Sequence, residues 1–600
     1  MEKLLHEEAL REWIEQVRVG ALPRRAFVQR LAALGLAAPV AGMLLMHAGV
    51  ATAQAKPEAY KPARRGGGGV LRLLWWQGPT LLNPHFASGQ KDLDAARLFY
   101  EALAEWDQEG RLVPVLAAEL PSVENGGVAK DGRSVIWKLK RGVNWHDGKP
   151  FTADDVVFTW QYASDPATAA VSSGYFAQRV VEKIDSHTVR IVFKQPTPFW
   201  AHSFVGTGGE ILPRHLFAVY SGAKSRDAPG NLKPVGTGPY KFVDFKPGDL
   251  LRGVLNTDYH LPLRPHFDAV ELKGGGDAVS AARAVLQTGE YDYAWNLQVE
   301  DEVLKRMEAG GKGRAAYIAA ADLEFMLFNF TDPNTEVDGE RSSLKAPHPL
   351  LSDPAVRQAL SLLVDKASIE RFIYGRAGVA TANFVNNPPR FRSPNQHWEF
   401  NPEKAAALLE AAGWKKGPGG VREKGGRRLK LLFQTSTNAP RQKTQALVKQ
   451  AALKAGVEIE IKAISGSVFF STDQGNPDTY GKFNADLQMF TTTGGIDPER
   501  NMLRFASWEV ATKANKWSGI NLSRWRNDDY DRAYRQAERE LDPVKRAALF
   551  IHMNDLLAQQ FATLPLIHRK NTAAVASRLH APVSGWSSDL AFLRDWFRDA

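Results

Sequence analysis

The chain of 600 residues contains no cysteine. That excludes disulfide frameworks, thiolate metal sites, a cysteine nucleophile and a lipid-modified N-terminal cysteine. Beyond residue 50 no stretch of roughly 18 residues is both uncharged and apolar enough for a membrane span; the longest uncharged run, 73–90, is broken by two prolines, Gln, Asn, His and Ser. There is also little charge bias: 76 Lys and Arg stand against 66 Asp and Glu, a formal +10. The longest basic cluster, Arg422 to Arg428, is short and broken by glycines, whereas nucleic-acid binders concentrate their charge in a patch or stripe. No nucleic-acid partner is expected. Apolar residues make up 44% and charged residues 24%, the composition of a globular chain. Its length exceeds the roughly 250–300 residues at which single cores stop growing.

Residues 1–55 differ from everything after them. Arg24 and Arg25 precede an Ala-, Leu- and Gly-rich run over 31–50, and Ala53-Gln54-Ala55 offers a small-x-small cleavage site. This order is the address for twin-arginine export. Two alternatives stay open, an uncleaved anchor and a buried helix. Residues 56–65 are expected to be a flexible linker, continuing into the four glycines 66–69.

After the linker, apolar strand patterns alternate with amphipathic helix patterns. Strands are expected over 70–76, 135–140, 188–194, 240–245, 291–295, 323–330 and 564–569. Helices are expected over 94–104, 153–162, 280–288, 354–364, 401–412 and 542–560. Thr152 with Asp155 reads as an acidic relative of the capping box, and Asn401-Pro402 as an N-cap with its first helical turn. Strand 429–434, helix 441–455 and strand 457–463 form a strand–helix–strand unit. The alternation implies layered α/β lobes. The Gly236-Thr237-Gly238-Pro239 string reads as a tight left-handed turn.

Several strings occur in a specific order: Leu-Asn-Pro-His at 82–85, Tyr-Glu-Ala-Leu at 100–103, Val-Pro-Val-Leu-Ala at 113–117, and Val135 through Trp145-His146-Asp147-Gly148. Phe-Thr-Ala-Asp-Asp-Val-Val at 151–157, Gly-Thr-Gly-Pro-Tyr at 236–240, Asp-Pro-Ala-Val-Arg-Gln-Ala at 353–359 and Asn-Pro-Glu-Lys-Ala at 401–405 follow. In this order the chain resembles the extracellular solute-binding proteins of family 5, the peptide-, opine- and nickel-chelate-binding components of ABC importers. The resemblance covers about 66–600.

The resemblance implies an α/β periplasmic-binding-protein fold with two lobes, hinge strands and an extra α+β domain. Lobe I would comprise 66–110, 235–320 and 565–600, the extra domain 111–234, and lobe II 321–564. Strands 323–330 and 564–569 would be the hinge crossings. It also implies a periplasmic, monomeric, non-enzymatic protein without cofactor or metal. Such a protein closes on a small-molecule or peptide ligand and delivers it to permease subunits in the inner membrane. A sensing role would use the same cleft, and a nickel or haem-type ligand is possible within the family.

Carried over by position, the cleft residues would be Ser88, Gln90, Tyr175, Trp295, Asn296, Phe469 or Phe470, and Thr491, Thr492, Thr493, Gly494 and Gly495. Of Trp75 and Trp76, at most one can face the cleft, and core packing is the expected role of both. In peptide binders of the family the loop matching 489–498 carries a carboxylate for the ligand's ammonium. Here the matching position is about Gly494. A neutral or N-blocked ligand is therefore expected, unless Glu324 or Asp292 supplies the charge.

The alternative is a secreted hydrolase. The sequence has no Gly-x-Ser-x-Gly or His-Glu-x-x-His string, and its 14 histidines are scattered.

Overall fold

The computed structural model describes residues 60–599 other than 88, 472–474 and 518, together with eight scattered positions before residue 60. The twin arginine, the cleavage site and Ser88 lie outside the described residues.

Two large sheets organise the chain. The first has seven strands in the order Gly313–Ile318, Asn571–Ala576, Tyr293–Ala294, Val70–Trp75, Ala269–Gly274, Leu250–Leu255 and Tyr240–Lys246. It is therefore assembled from three separate stretches of chain. The second has six, in the order Gly378–Ala380, Thr563–Arg569, Leu323–Phe328, Leu487–Thr492, Lys430–Ser436 and Glu458–Ile464.

The central Leu323–Phe328 strand is buried at every position. Leu323, Phe325 and Leu327 pack into one cluster with Phe490 and Phe550. Met326 and Phe328 pack on the opposite face with Leu431, Phe433 and Val448. This is the period-two alternation of a strand covered by helices on both faces. The expected strand–helix–strand unit is present: Lys430–Ser436 and Glu458–Ile464 pair in parallel, and helix Ala439–Lys454 makes the crossover.

The stretch between the first sheet's early strands carries its own three-stranded antiparallel sheet of Ser134–Lys138, Thr188–Phe193 and Arg179–Asp185. Helix Ala153–Ser164 packs against it. Both halves of the capping box form: Thr152 accepts from Asp154 N, and Thr152 N donates to the Asp155 carboxylate at 2.9 Å. Trp145 is buried beneath the 141–148 turn. The hydrophobic core of this unit is continuous with that of the seven-stranded sheet.

Three expectations change. Thr563–Arg569 pairs along its length with Leu323–Phe328 and Gly378–Ala380, so it belongs wholly to the second sheet. The chain returns to the first sheet at Lys570, later than the boundary at 565, and crosses outward over 319–322. The strands 323–330 and 564–569 thus end at the crossings and do not form them.

The described part of the 56–65 linker is not free. Arg65 donates to the carbonyls of Thr257, Tyr259 and Leu261, and Tyr60 Oη to that of Leu263 at 2.9 Å. Gly67 N and Gly69 N both donate to the Asp268 carboxylate.

Finally, Gly236 and Gly238 are not left-handed. A Cβ on Gly236 would lie 1.8 Å from Phe99 O, and one on Gly238 2.6 Å. These glycines permit close backbone contact rather than a turn.

Candidate functional site

The lobes meet around the two crossings. Arg569, the last residue of its strand, donates its backbone N–H to Asp322 O at 2.8 Å. His568 Nε2 and Asn387 Nδ2 both bond Ala320 O, at 2.9 and 3.0 Å. On the hinge side, Arg376 joins Asp301 and Glu308 of the first lobe, each at 2.7 Å. Asn438 Nδ2 donates to Gln298 Oε1 at 2.6 Å, and Lys443 pairs with Glu300 at 2.7 Å. An inter-lobe cavity with about 350 Å³ of empty space, its open mouth included, is lined by Gln298, Glu324, Tyr374, Asn438, Arg569 and Thr572 among others.

A buried charge network forms the second lobe's wall. Glu324 is 1% exposed and accepts from Arg441 Nε at 2.8 Å. Thr491 Oγ1 donates to Glu324 Oε2 at 2.7 Å, and accepts from Arg441 Nη2 at 2.8 Å and Arg569 Nη1 at 2.7 Å. A hydroxyl has one proton and two lone pairs, so Thr491 is fully committed. Arg569 Nη1 also lies 3.7 Å from Glu324 Oε2, and its Nε is buried without a hydrogen-bond partner among the described residues.

Asp322 precedes this strand, with the backbone N–H of Gly494 close enough to favour its ionised form. Burial raises its pKa to about 6, against the opposing pull of Arg569 and Gly494. No ion pair joins Asp322 to Arg569 among the described residues.

The first lobe lines the cavity with Leu297, Gln298, Val299 and Thr572, and an aromatic cluster precedes this segment. Trp295 is 5% exposed; its ring stacks on Trp75 (6.0 Å between centroids, 3° between planes) and is tilted against Trp76 at 6.2 Å. Behind it lie two acids. Asp94 accepts from Trp75 Nε1, Gln90 Nε2, Ser588 Oγ and Asp589 N, at 2.8 to 3.1 Å. Asp589 accepts from Tyr293 Oη at 2.6 Å. Burial raises Asp94 as well, to about 6, but its four donors leave it the more readily ionised of the two. Asp589 takes the proton, pushed up to about 8 by burial, then by Asp94, with Asp322 adding a smaller push.

The expected cleft residues divide. Trp295 packs in this aromatic cluster, and Gln90 bonds the Asp94 carboxylate behind it. Asn296, left-handed at φ 50°, accepts from Trp76 Nε1 through its carbonyl. Gly494 lies against the crossing, where a Cβ would sit 2.7 Å from Ala321 Cβ. Thr492 points to the other face of its strand, its hydroxyl bonded to Asn501 and Arg504. Thr493 and Gly495 are exposed. Tyr175 packs edge-on against His202 at 4.8 Å. Phe469 is fully buried among Phe470, Tyr480 and Phe490. It is core and no ligand wall, while Phe470, 44% exposed, covers its edge.

Neither replacement acid is available. Glu324 is spent on Arg441, and Asp292 bonds Arg598 at 2.6 Å and Arg72 N. The carboxylate beside Gly494 is Asp322, which the sequence reading missed. Its only sequence signal is a lone acid ahead of an apolar strand.

Two α/β lobes joined by the two crossings, with a cavity between them lined from both sides, define a two-lobed solute-binding protein. Residues 111–512 match the family described as bacterial extracellular solute-binding proteins, family 5 (middle), and the chain belongs to that family. The oligopeptide-binding protein AppA of Bacillus subtilis (strain 168) is 25% identical over 552 residues, covering 90% of this chain and 93% of its own. The glutathione-binding protein GsiB of Escherichia coli (strain K12) is 25% identical over 528 residues, covering 86% and 93%. Among solved structures, NikZ from Campylobacter jejuni in complex with Ni(L-His) superposes with a TM-score of 0.73 at 22% identity, covering 88% of this chain and 99% of NikZ. AppA with a nonapeptide gives 0.71 at 23% identity, covering 90% and 100%.

Proposed function

We propose that this chain is the periplasmic substrate-binding component of an ABC importer, that it captures a peptide-like or opine-like zwitterion, and that it hands the solute to a membrane permease without altering it. The observation that carries the reading is the juxtaposition at the crossings. Asp322 and Arg569 are neighbours through a backbone bond, yet their side chains are not paired, and Arg569 retains an unused buried N–H. A ligand ammonium against Asp322 and a ligand carboxylate toward Arg569 would complete both. Charged groups removed from water are stabilised only with such partners. The Leu297 and Val299 side of the cavity offers an apolar face for the rest of the solute. Because the walls come from different lobes, ligand stabilises the closed form alone.

This replaces the expectation of a neutral or N-blocked ligand. The relatives' names, oligopeptide- and glutathione-binding, point the same way and favour binding over hydrolysis. Export by the twin-arginine leader is part of the proposal.

The test is calorimetric titration with free di- to nonapeptides, glutathione and nickel–histidine, each peptide also N-acetylated. Free peptides are expected to bind, with N-acetylation weakening Kd at least tenfold. Equal affinity for the acetylated forms would overturn the ammonium site. A ligand recovered chemically changed would overturn the binding reading.

A further inference from the structure

The loop after the Leu487–Thr492 strand touches every other part of the molecule. Gly494 abuts Ala321 at the crossing. Ile496, only 7% exposed, inserts against the first lobe: a Cβ on Gly110 would lie 2.5 Å from its Cδ1 and 3.3 Å from Trp586 Nε1. Gly110 is left-handed at φ 73°, in a turn whose Asp107 carboxylate accepts from the N–H groups of Glu109 and Arg111. The first lobe therefore presents to Ile496 a notch at the bare Gly110 backbone, flanked by the Trp586 indole.

Arg500, exposed on its other sides, lies over the Tyr175 ring of the extra domain at 5.3 Å. Tyr175 is held from behind by His202 and by its carbonyl, which accepts from Ser203 Oγ at 2.8 Å. The loop is anchored to its own lobe by Arg546, whose Nη2 donates to Asp497 at 3.0 Å and to Glu499 at 2.9 Å.

We infer that residues 494–500 form a latch for lobe closure, with Ile496 as its knob and Arg500 as its clasp on the extra domain. The anchoring contacts lie within one lobe and survive opening. The knob and clasp contacts cross between lobes and must break. Opening therefore exposes an otherwise buried isoleucine, so the latch sets how long a closed complex lasts. Ile496 and Arg500 act as positioning residues, with no claim on the solute. The inference uses the hinge closure of the proposed function but not its ligand class.

The absence of cysteine gives a clean background for paired spin labels on the exposed Val171 of the extra domain and Val544 of the second lobe. Distance distributions would be recorded on full-length protein as purified, and again after unfolding, dialysis and refolding to strip bound solute. In at least one of the two states, Ile496→Ala is expected to raise the open-to-closed ratio about tenfold, since it removes most of a buried aliphatic side chain. Arg500→Ala is expected to raise it about threefold, the scale of an exposed cation–π contact. Ile496→Val and Arg500→Lys should recover most of the closed population, which a merely structural defect would not allow. An Arg546→Lys control reports whether loosening the anchor alone opens the lobes; if it matches Ile496→Ala while Arg500→Ala has no effect, the knob-and-clasp assignment fails. Unchanged distributions for Ile496→Ala and Arg500→Ala in both states would overturn the latch, whatever the titrations show about the ligand.

Discussion

At the scale of single residues, protonation gives the sharpest consequences. Burial lifts Asp589 to about 8 and Asp322 to about 6. A carboxyl whose folded pKa lies above its unfolded value stabilises the fold below about pH 4, and that contribution is lost as pH rises through the folded value. In ligand-free protein the Asp589 contribution is therefore lost from about pH 4 to about pH 8, with a slope near 1.4 kcal/mol per pH unit over most of that range. Other buried groups titrate over the same range. His85, His146 and His202, lowered to about 4 by desolvation, oppose the loss below about pH 6.5. Lys366, lowered to about 7 by desolvation, opposes it above, and Glu499, raised to about 7 by burial, adds to it, so the Asp589 share is read as a difference from wild type. The thermal stability of Asp589→Asn should gain on that of wild type as pH rises from about 6 to 8; a variant profile parallel to wild type would show that the proton resides elsewhere. The sign reverses for binding a cation, which favours the ionised acids. Affinity for a free peptide should rise from about pH 5 to pH 7 as Asp322 ionises, and the Asp322→Asn variant should lose that rise along with most of its affinity.

At the scale of elements, local rules were read from sequence and long-range ones were not. The capping box at Thr152 and Asp155, the Asn401 cap, whose side chain accepts from Lys404 N at 2.9 Å, and the crossover after Lys430–Ser436 depend on residues a few positions apart. The sequence displays them directly. Asp322 and Arg569 meet only because Leu323–Phe328 and Thr563–Arg569 pair side by side, and no local pattern announces that register. Family position placed Thr491 and Phe469 on the cleft, but it carried no information on which face each side chain takes. Thr491 instead sits at the centre of the Glu324–Arg441 network that locks these strands together. Removing one member of a buried pair leaves an uncompensated charge, at about 3–5 kcal/mol. Arg441→Met should lower stability toward that range. The Glu324→Gln/Arg441→Met double variant should recover part of the loss in denaturant unfolding. A single variant no less stable than the double would show that Arg569 alone balances Glu324.

At the scale of the whole molecule, the continuity of the cores decides what folds as a unit. The three-stranded unit built from Ser134–Lys138, Thr188–Phe193 and Arg179–Asp185 shares one uninterrupted apolar cluster with the seven-stranded sheet, from Trp137, Phe158 and Phe204 through Tyr100 to Leu73 and Tyr293. The six-stranded sheet keeps separate clusters on its two faces. It meets the rest mainly through charged contacts such as Arg376–Asp301 and through the crossings. Domains are defined by their own cores, so the molecule comprises two cooperative units rather than three, and residues 111–234 excised alone should not fold. Calorimetry of ligand-free protein should show two transitions. A solute that touches both lobes, at a hundred times its Kd, adds about 2.7 kcal/mol to the closed form. It must be released before either lobe can unfold freely, so the two transitions should merge and move upward together. If the added solute raised only one of them, it would be bound within a single lobe, and the crossing charges Asp322 and Arg569 would serve the fold alone.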